Sequence, residues 1–351
     1  MPNIWGDFPQ KEEFRMKLLS VTIPSYNSQD YLANCVESLL PGGDRVEIII
    51  INDGSRDRTG EIADAYAAKY PGIVKAVHQE NGGHGEGINQ GLRHATGKYF
   101  KVVDSDDRVS GDFIDFLDHL ESLEAQGGAD VVVTNYYYVH SDGIGDRSIN
   151  YSNVLPEGRI LTWADTKPFQ LHQMLTIHSC TFRTEAMRQW TTELPKHTFY
   201  EDNLMVCQTL PHVHKLSYFN RDLYLYTIGR EGQSVQQDVM MKRYSHQILC
   251  TELCFRSCHL DDIQEPMLKK YMKHELFMMF GISILFTRLN RTKETDDAIE
   301  QMWKNCYEFD PKWAKHFRKH SPLFFICMPG KFGQSFSGKV YRLANKIVRF
   351  N

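Results

Sequence analysis

The sequence predicts an α/β fold in which strands and helices alternate along a mostly parallel central sheet. Short apolar runs rich in β-branched residues, each followed by polar residues, indicate strands at 18–24, 46–51 and 74–78. Helical patterns lie between them, over 29–40 and 59–70. Because a strand, a helix and a second strand of these lengths form a parallel βαβ unit, the crossovers should be right-handed. Ligands of such sheets bind at the carboxyl ends of the strands.

Length and composition indicate an ordinary globular protein. The chain has 351 residues, of which 42% are hydrophobic and 24% are charged, enough for one large domain with an appendage or for two domains. Acids occupy the first residues, where a signal peptide needs an apolar segment, and the longest nearly apolar stretch, 276–286, is too short to span a bilayer. We therefore expect a cytoplasmic protein without a transmembrane helix.

The cysteines agree with a reducing compartment. Eight are present without the spacing of a disulfide framework. Cys250, Cys254 and Cys258 recur at helical spacing, which favours a buried stripe on a helix over a metal site.

A fourth strand runs directly into a group of carboxylates. Residues 99–107 read YFKVVDSDD, so Asp104 and Asp106 follow an apolar strand. Side chains two residues apart on an extended chain point to the same side. Two carboxylates held together in this way suit a hard divalent cation, Mn²⁺ or Mg²⁺, that binds a diphosphate. Taken alone, the pattern also fits an acidic surface turn.

Two further loops should lie at the same edge of the sheet. Asp53 ends the second strand, where it could accept hydrogen bonds from a base or ribose, or cap the following helix. After the third strand, residues 80–89 read ENGGHGEGIN, with four glycines in six residues. We predict a glycine-rich loop that brings its backbone close to a phosphate or sugar, and a helix that begins at Asn89.

Together these motifs resemble the family 2 glycosyltransferases, which have the GT-A fold. The segments IPSYN, EIIIINDGS, QENGGHGEGINQGLRHATGKY and VVDSDD match in order and spacing over roughly 18–115. The resemblance implies an inverting enzyme of the bacterial cell-surface polysaccharide type with a nucleotide-sugar donor, most often a UDP-sugar. It implies Asp104 and Asp106 as the metal-binding Asp-x-Asp element, with Asp106 as the direct ligand. The residues that it implies for nucleotide-sugar binding are Pro24, Tyr26, Asn27, Asp53, Asn81, Gly82, Gly83, His84, Asn89, Asp104 and Ser105.

The catalytic base is expected in the second half of the chain. A strand is predicted over 130–134, followed by an aromatic run and a polar loop to residue 153. Further on, HTFYEDNLMVCQTL opens an apolar helix with Glu201 and Asp202. The resemblance implies Asp202 as the base that deprotonates the acceptor hydroxyl, with Glu201 as an orienting residue. The alternative is an acidic pair stabilised by the helix dipole.

Other polar residues of this half are assigned more simply. Arg230 and Ser234 lie in a segment similar to a mobile loop of the family, and Arg230 would stabilise the departing nucleotide. His178 and His214 are predicted to be structural histidines rather than ligands.

His84, where many members carry Ser or Ala residues, is a departure from the family pattern, so the motif does not specify the sugar.

The chain divides into a GT-A domain, 1–235, and a helical region, 236–351. Within the first, 18–115 is the nucleotide-sugar-binding half and 116–235 the acceptor half. From Lys312 onward there are nine Lys or Arg and no Asp or Glu, and 335–350 have the pattern of a basic amphipathic helix. Such a helix could lie on the cytoplasmic face of a membrane, or dock on the protein or on a partner helix.

The leading hypothesis is a metal-dependent hexosyltransferase that uses a UDP-sugar and a saccharide or lipid-linked saccharide acceptor. One alternative is a sugar nucleotidyltransferase, but those enzymes use a glycine- and lysine-rich entry loop where this chain has IPSYN. The other is a non-catalytic carbohydrate-binding or scaffold protein, which would need a broken site. No nucleic-acid partner is expected.

Overall fold

The computed structural model describes residues 16–140, 143, 145–229, 237–328, 333, 336–340 and 342. The chain forms two compact units. The first comprises Met1–Lys167 and Leu175–Ile228, and the second comprises Pro168–Met174 and Gly229–Asn351. The boundary at Ile228 lies close to the predicted one at 235, but the sequence does not indicate that 168–174 belongs with the helical unit.

In the described part of the first unit, nine strands form one sheet. They are β1 (Leu19–Ser25), β2 (Val46–Asp53), β3 (Val74–Gln79), β4 (Tyr99–Val102), β5 (Arg108–Val109), β6 (Val131–His140), β7 (Arg147–Ile149), β8 (Cys180–Arg183) and β9 (Leu216–Ile228). Their order is β3-β2-β1-β4-β8-β6-β9-β5, and β7 pairs with β6. The first four strands are parallel, as predicted. Beyond β4 the sheet is mixed, since β8 is antiparallel to both of its neighbours.

The parallel half contains the main hydrophobic core. Residues 48–51 of β2 are 0% exposed, as expected for a parallel strand that is covered on both faces. In the other half, β6 continues through three tyrosines to His140 and pairs with β7 and β9. The strand predicted over 130–134 therefore ends too early, and the polar loop predicted to residue 153 is wrong at 139–140 and 147–149, which belong to β6 and β7. Cross-strand partners stabilise these residues, for example Tyr138 and Tyr226 with ring centroids 5.5 Å apart, and a local pattern does not reveal such partners.

Six helices of the first unit are α1 (Leu32–Leu39), α2 (Thr59–Lys69), α3 (His84–His94), α4 (Phe113–Ala125), α5 (Thr184–Met187) and α6 (Glu201–Thr209). The largest departure from expectation is α3, which begins at His84 and not at Asn89. Of the glycines around its start, Gly83 has φ +85°, whereas Gly87 lies within the helix. A Cβ atom at Gly87 would lie 2.9 Å from Cβ of Pro24, so this glycine allows α3 to pack directly against β1.

The second unit is helical where it is described. Its helices are α7 (Gln237–Lys242), α8 (Tyr244–Ser257), α9 (Pro266–Leu289), α10 (Lys293–Phe309), α11 (Pro311–Lys319) and α12 (Leu323–Cys327). Phe280 and Trp303 stack in its core, with ring centroids 4.6 Å apart. Cys250, Cys254 and Cys258 are buried on and just after α8, which confirms the predicted buried stripe. Among the described helices, none combines the length and hydropathy that crossing a bilayer requires. The predicted helix over 335–350 lies outside the described residues except for 336–340 and 342.

Candidate active site

A histidine joins three of the predicted motifs at the carboxyl edge of the parallel strands. His84, the first residue of α3, contacts Oδ1 of Asp104 through Nε2 at 2.8 Å. Its Nδ1 contacts Oε1 of Glu201, at the start of α6, at 2.7 Å. The glycine segment, the aspartate strand and the acidic helix are thus connected by one imidazole ring.

Both ring nitrogens of His84 face carboxylates, and this decides its charge. Burial alone would lower the pKa of His84, but Asp104 and Glu201 outweigh that effect and raise the pKa well above its usual value. Burial alone would raise the pKa of the Asp104 carboxyl group, but the charge and hydrogen bond of His84 outweigh this effect and lower the pKa. At neutral pH the three side chains therefore form a carboxylate–imidazolium–carboxylate chain.

Asp202 lies one residue beyond this chain and has the properties of a general base. Burial and the adjacent Glu201 raise the pKa of Asp202 to about 7, although His84 partly offsets them. Its Oδ1 accepts a hydrogen bond from Nδ2 of Asn203 at 3.0 Å. Tyr200, immediately before α6, has φ +71°, a strained conformation for a non-glycine residue. A carboxyl group with a pKa near neutrality can accept a proton at physiological pH and release it afterwards.

Asp104 also belongs to a group of side chains that could hold a metal ion. Ligand atoms of Asp104, Asp107 and His178 all lie within 4.8 Å of one another. Burial lowers the pKa of His178 to about 4, so its imidazole is neutral and able to ligate. Two carboxylates and one imidazole suit Mn²⁺ and, less well, Mg²⁺. The donor set therefore fits the predicted divalent cation.

The carboxylate of Asp107 is held by hydrogen bonds to β9. Asp107 is 2% exposed, and its two oxygens accept hydrogen bonds of 2.7 Å from the hydroxyl of Tyr224 and the backbone N–H of Thr227. Burial and the charge of Asp104 raise its pKa well above the usual value. Asp107 thus fixes the loop to β9 and also belongs to the group that could hold a metal ion, whereas the resemblance implies the half-buried Asp106 as the direct ligand.

Two residues near the site are not among its predicted residues. Lys101 is 0% exposed, and its Nζ donates to the carbonyl oxygen of His178 at 3.0 Å, while burial lowers its pKa to about 8. A lysine inside the apolar strand YFKVV was the available signal for it. His178, predicted to be structural, has Nε2 3.9 Å from Oδ2 of Asp104. It lies 74 residues after Asp104 in the numbering and belongs to no motif, so only folding brings it there.

Asp53 orders the glycine turn. Its Oδ1 accepts hydrogen bonds from Nε2 of Gln79 at 2.6 Å and from the N–H of Gly82 at 2.7 Å, and its Oδ2 accepts one from the N–H of Gly83 at 2.8 Å. The alternative that Asp53 caps α2 is wrong, because Asp57 accepts the hydrogen bond from the N–H of Thr59 at 3.0 Å.

Most other predicted donor-site residues also hold the framework of the site together. The amide of Asn81 donates to the carbonyl of Asp53 at 2.9 Å, and Ser105 and Ser28 share a hydroxyl contact of 2.6 Å. Asn27, with φ +51°, accepts a hydrogen bond from the N–H of Arg56. Asn89 is fully buried, and its amide bonds Glu86 and Leu194, which gives it a structural role.

The last predicted residues of the site are Pro24, Tyr26, Arg230 and Ser234. Pro24 is buried in β1, whereas Tyr26, two residues further on, is 49% exposed and thus open to a ligand. Arg230 and Ser234 lie outside the described residues.

Comparison with known proteins agrees with this arrangement. Residues 20–189 match the family model described as Glycosyl transferase family 2. The chain is 42% identical over 130 residues to the glycosyltransferase GlyG of Streptococcus pneumoniae serotype 4, which covers 36% of this chain and 42% of GlyG. It is 27% identical over 238 residues to the minor teichoic acid biosynthesis protein GgaB of Bacillus subtilis, over 66% of this chain and 25% of GgaB. The chain spans less than half the length of the first curated relatives it matches, 42%, 45% and 31%.

The fold has a counterpart among solved structures. The crystal structure of S. aureus TarS 1–349 in complex with UDP-GlcNAc superposes with a TM-score of 0.66 at 19% identity, and the match covers 93% of this chain and 92% of that one. This likeness confirms the predicted α/β, GT-A fold with its helical C-terminal extension. Over residues 20–189, where the predicted motifs lie, the chain is similar to glycosyl transferase family 2.

Proposed function

We propose that this protein is an inverting glycosyltransferase that moves a sugar from a nucleoside-diphosphate donor to a hydroxyl of a saccharide or lipid-linked saccharide. The observation that carries the proposal is the Glu201–His84–Asp104 chain, because it holds the helix with Asp202 beside the aspartate strand. The UDP-GlcNAc bound by TarS supports a UDP-sugar as donor. The name of GgaB supports a role in the synthesis of cell-surface polysaccharide.

In the proposed reaction Asp202 accepts the proton of the acceptor hydroxyl. That oxygen forms a bond to the anomeric carbon from the side opposite the leaving group. The bond between this carbon and the diphosphate oxygen breaks, and its electron pair leaves with the nucleoside diphosphate. Glu201 keeps His84 charged and oriented, and the positive imidazolium in turn favours the ionised form of Asp202.

At the donor end, Asp104 and Asp106 would hold Mn²⁺ or Mg²⁺, which would neutralise charge on the departing diphosphate. Asp107 would fix the loop through Tyr224 and Thr227, and His178 would be a further ligand of the metal ion. Tyr26 and Pro24 would face the nucleoside. Asp53, Asn81 and the N–H groups of Gly82 and Gly83 would keep the turn in shape for the donor. Arg230 and Ser234 would contact the diphosphate.

A donor panel tests the proposal. The full chain is incubated with UDP-, GDP- and dTDP-sugars in the presence of Mn²⁺, Mg²⁺ or a chelator, and the release of nucleoside diphosphate is measured. We expect release from one donor class, dependent on the metal. A nucleotidyltransferase would instead release pyrophosphate from a nucleoside triphosphate and a sugar 1-phosphate, and a scaffold protein would release neither.

The controls separate binding from chemistry. Asp202→Asn should bind the donor and lose turnover, whereas Asp104→Asn should lose both. Asp115→Asn, which removes an exposed carboxylate on α4, should behave like the unmodified protein. Full turnover by Asp202→Asn would remove that residue from the role of base.

A membrane location is a separate proposal. It is supported by the charge of the last segment, with nine Lys or Arg and no Asp or Glu from Lys312 onward, since basic segments are attracted to anionic lipid. Deleting residues 330–351 should reduce partition to vesicles that contain anionic lipid. Unchanged partition would contradict the role of this segment.

A further inference from the structure

The helical unit contains a pocket of about 450 Å³ between α9 and α11. This volume lies in the range of sites that bind small molecules. Three lysines and two aromatic residues give the pocket its character, with a histidine beside them: Lys269, Lys270, Lys273, Phe277, His316 and Phe317.

The three lysines lie on α9, and their charge is not balanced from within the pocket. No ion pair within 4.0 Å involves Lys269, Lys270 or Lys273 in the part of the chain that the structure describes, although other lysines do form such pairs. Lys312 on α11 is an example, with Nζ 2.6 Å from the carboxylate of Asp261. Within the same unit, Lys312 is thus paired with a carboxylate, whereas the three lysines at the cavity have no such ion pair among the described residues.

The pKa of His316 responds to the positive charges around the pocket. Burial lowers the pKa of His316, and the charges of Lys273 and His320 lower it further. His316 is therefore neutral at physiological pH, and the positive charge of the pocket comes from the lysines. An anion that enters the pocket would meet ammonium groups without displacing a carboxylate.

The rest of the wall is apolar. Phe317 packs against His316, with ring centroids 5.5 Å apart, and Phe277 lies one turn of α9 beyond Lys273. Nζ of Lys273 lies 5.1 Å from the ring centroid of Trp313, a cation–π distance that holds its ammonium group near the aromatic residues. Positive charge and apolar surface are thus presented together.

We propose that this pocket binds the phosphate group of an amphiphilic phosphate ester, with the phosphate between the lysines and the apolar part of the molecule against Phe277. A phosphate carries enough charge to engage several ammonium groups, whereas a single carboxylate would leave most of them unbalanced. An apolar body is needed because inorganic phosphate alone would leave the aromatic wall unused. This site is independent of the proposed transfer reaction.

Calorimetric titration of the full chain tests the site. The probes are monomeric dihexanoyl phosphatidic acid, the zwitterionic dihexanoyl phosphatidylcholine, glycerol 3-phosphate and inorganic phosphate. We expect the phosphatidic acid to bind about tenfold more tightly than phosphatidylcholine or inorganic phosphate. The double variant Lys269→Gln/Lys273→Gln should lose about tenfold in affinity for it. Lys315→Gln, an exposed lysine of α11 outside the pocket, is the matched control and should bind like the unmodified protein.

Sedimentation with vesicles identifies the source of the phosphate. If it is a lipid headgroup, phosphatidylcholine vesicles with about 20% phosphatidic acid should bind the double variant less than Lys315→Gln, although both keep the basic residues of 330–351. If it is a soluble amphiphilic ester, the monomeric phosphatidic acid should bind more tightly than glycerol 3-phosphate, and the vesicles should not distinguish the variants. Equal binding of the phosphatidic acid by the double variant and the control, with unchanged melting temperatures, would overturn the proposal.

Discussion

The two units of the chain carry opposite kinds of polar site. In the first, carboxylates gather around one imidazolium, and pKa values are shifted by several causes at once. In the second, lysines surround a cavity without carboxylate partners within ion-pair distance in the described chain. Three of the four described non-glycine residues with positive φ, Asn27, His197 and Tyr200, belong to the first unit. Backbone strain and shifted pKa values occur together at sites of chemistry, which supports our proposal that the reaction takes place in the first unit.

The substitution Asp202→Asn has the largest expected effect, and it tests the assignment of the reaction to the first unit. We expect kcat to fall about 10²- to 10⁴-fold, because the acceptor hydroxyl loses its base. Since the folded pKa of Asp202 is raised to about 7, the native state holds this proton more tightly than the unfolded state. The stabilisation that this bound proton gives to the native state is therefore lost as pH rises through about 7. A neutral Asn at position 202 should raise the melting temperature at about pH 8.

The measurements are kcat from nucleoside diphosphate release and the melting temperature at two pH values. In the unmodified enzyme, kcat/KM should rise with pH through about 7, as Asp202 loses its proton. A lower melting temperature of Asp202→Asn at high pH would contradict the buried, destabilised carboxylate.

Asp106→Asn and Asp107→Asn should fail in different ways. Asp106→Asn should raise the Mn²⁺ concentration needed for half-maximal activity at least tenfold, or about 1.4 kcal/mol, with little change in melting temperature. Asp107→Asn should reduce the free energy of unfolding by about 1–3 kcal/mol, because the new amide would face the hydroxyl of Tyr224 or the N–H of Thr227. Metal titrations and thermal melts of both variants check this. The reverse outcome would make Asp107 the ligand.

Two glycines within helices, one in each unit, allow the tightness of packing in the two units to be compared. A Cβ atom at Gly91 of α3 would lie 2.0 Å from Oγ1 of Thr22 on β1, so Gly91→Ala should destabilise the protein by about 1–3 kcal/mol. A Cβ atom at Gly281 of α9 would meet only Cδ2 of Leu323, at an ordinary 3.6 Å. Gly281→Ala should therefore stabilise by up to ~1 kcal/mol through helix propensity. Denaturant unfolding measures both, and a stabilising Gly91→Ala would show that α3 need not lie so close to β1.

The smallest expected effect is a shift in the pH profile. The positive charge of His84 lowers the pKa of Asp202. Replacing it with neutral Gln should move the acidic limb of kcat/KM to higher pH by about half a unit to one unit. His94→Gln, at the other end of α3, is the control and should leave the limb in place. A limb that moves to lower pH in His84→Gln would contradict the positive charge assigned to His84.

The sequence was sufficient where local pattern and motif agreed. The apolar runs of β1, β2 and β3 predicted the parallel half of the sheet, and the Asp-x-Asp strand and the Glu-Asp helix predicted where carboxylates would gather. It was insufficient where stability comes from distant partners. The local pattern predicts a strand that ends at residue 134 and does not reveal that the tyrosines beyond it continue β6. It also predicts the start of α3 five residues too late, because glycines weaken an isolated helix and only close packing on β1 accounts for them here.

What the sequence indicated by itself is the resemblance to the family, the α/β class and the carboxylates Asp104 and Asp202, since each follows from residue types at fixed short spacing. Tertiary structure alone decided how they act. It brought His84 between Asp104 and Glu201, placed His178 near the aspartates, and buried Asp202 enough to raise its pKa to about 7. Charge and burial depend on neighbours that are far apart in the chain, so no local pattern could supply them.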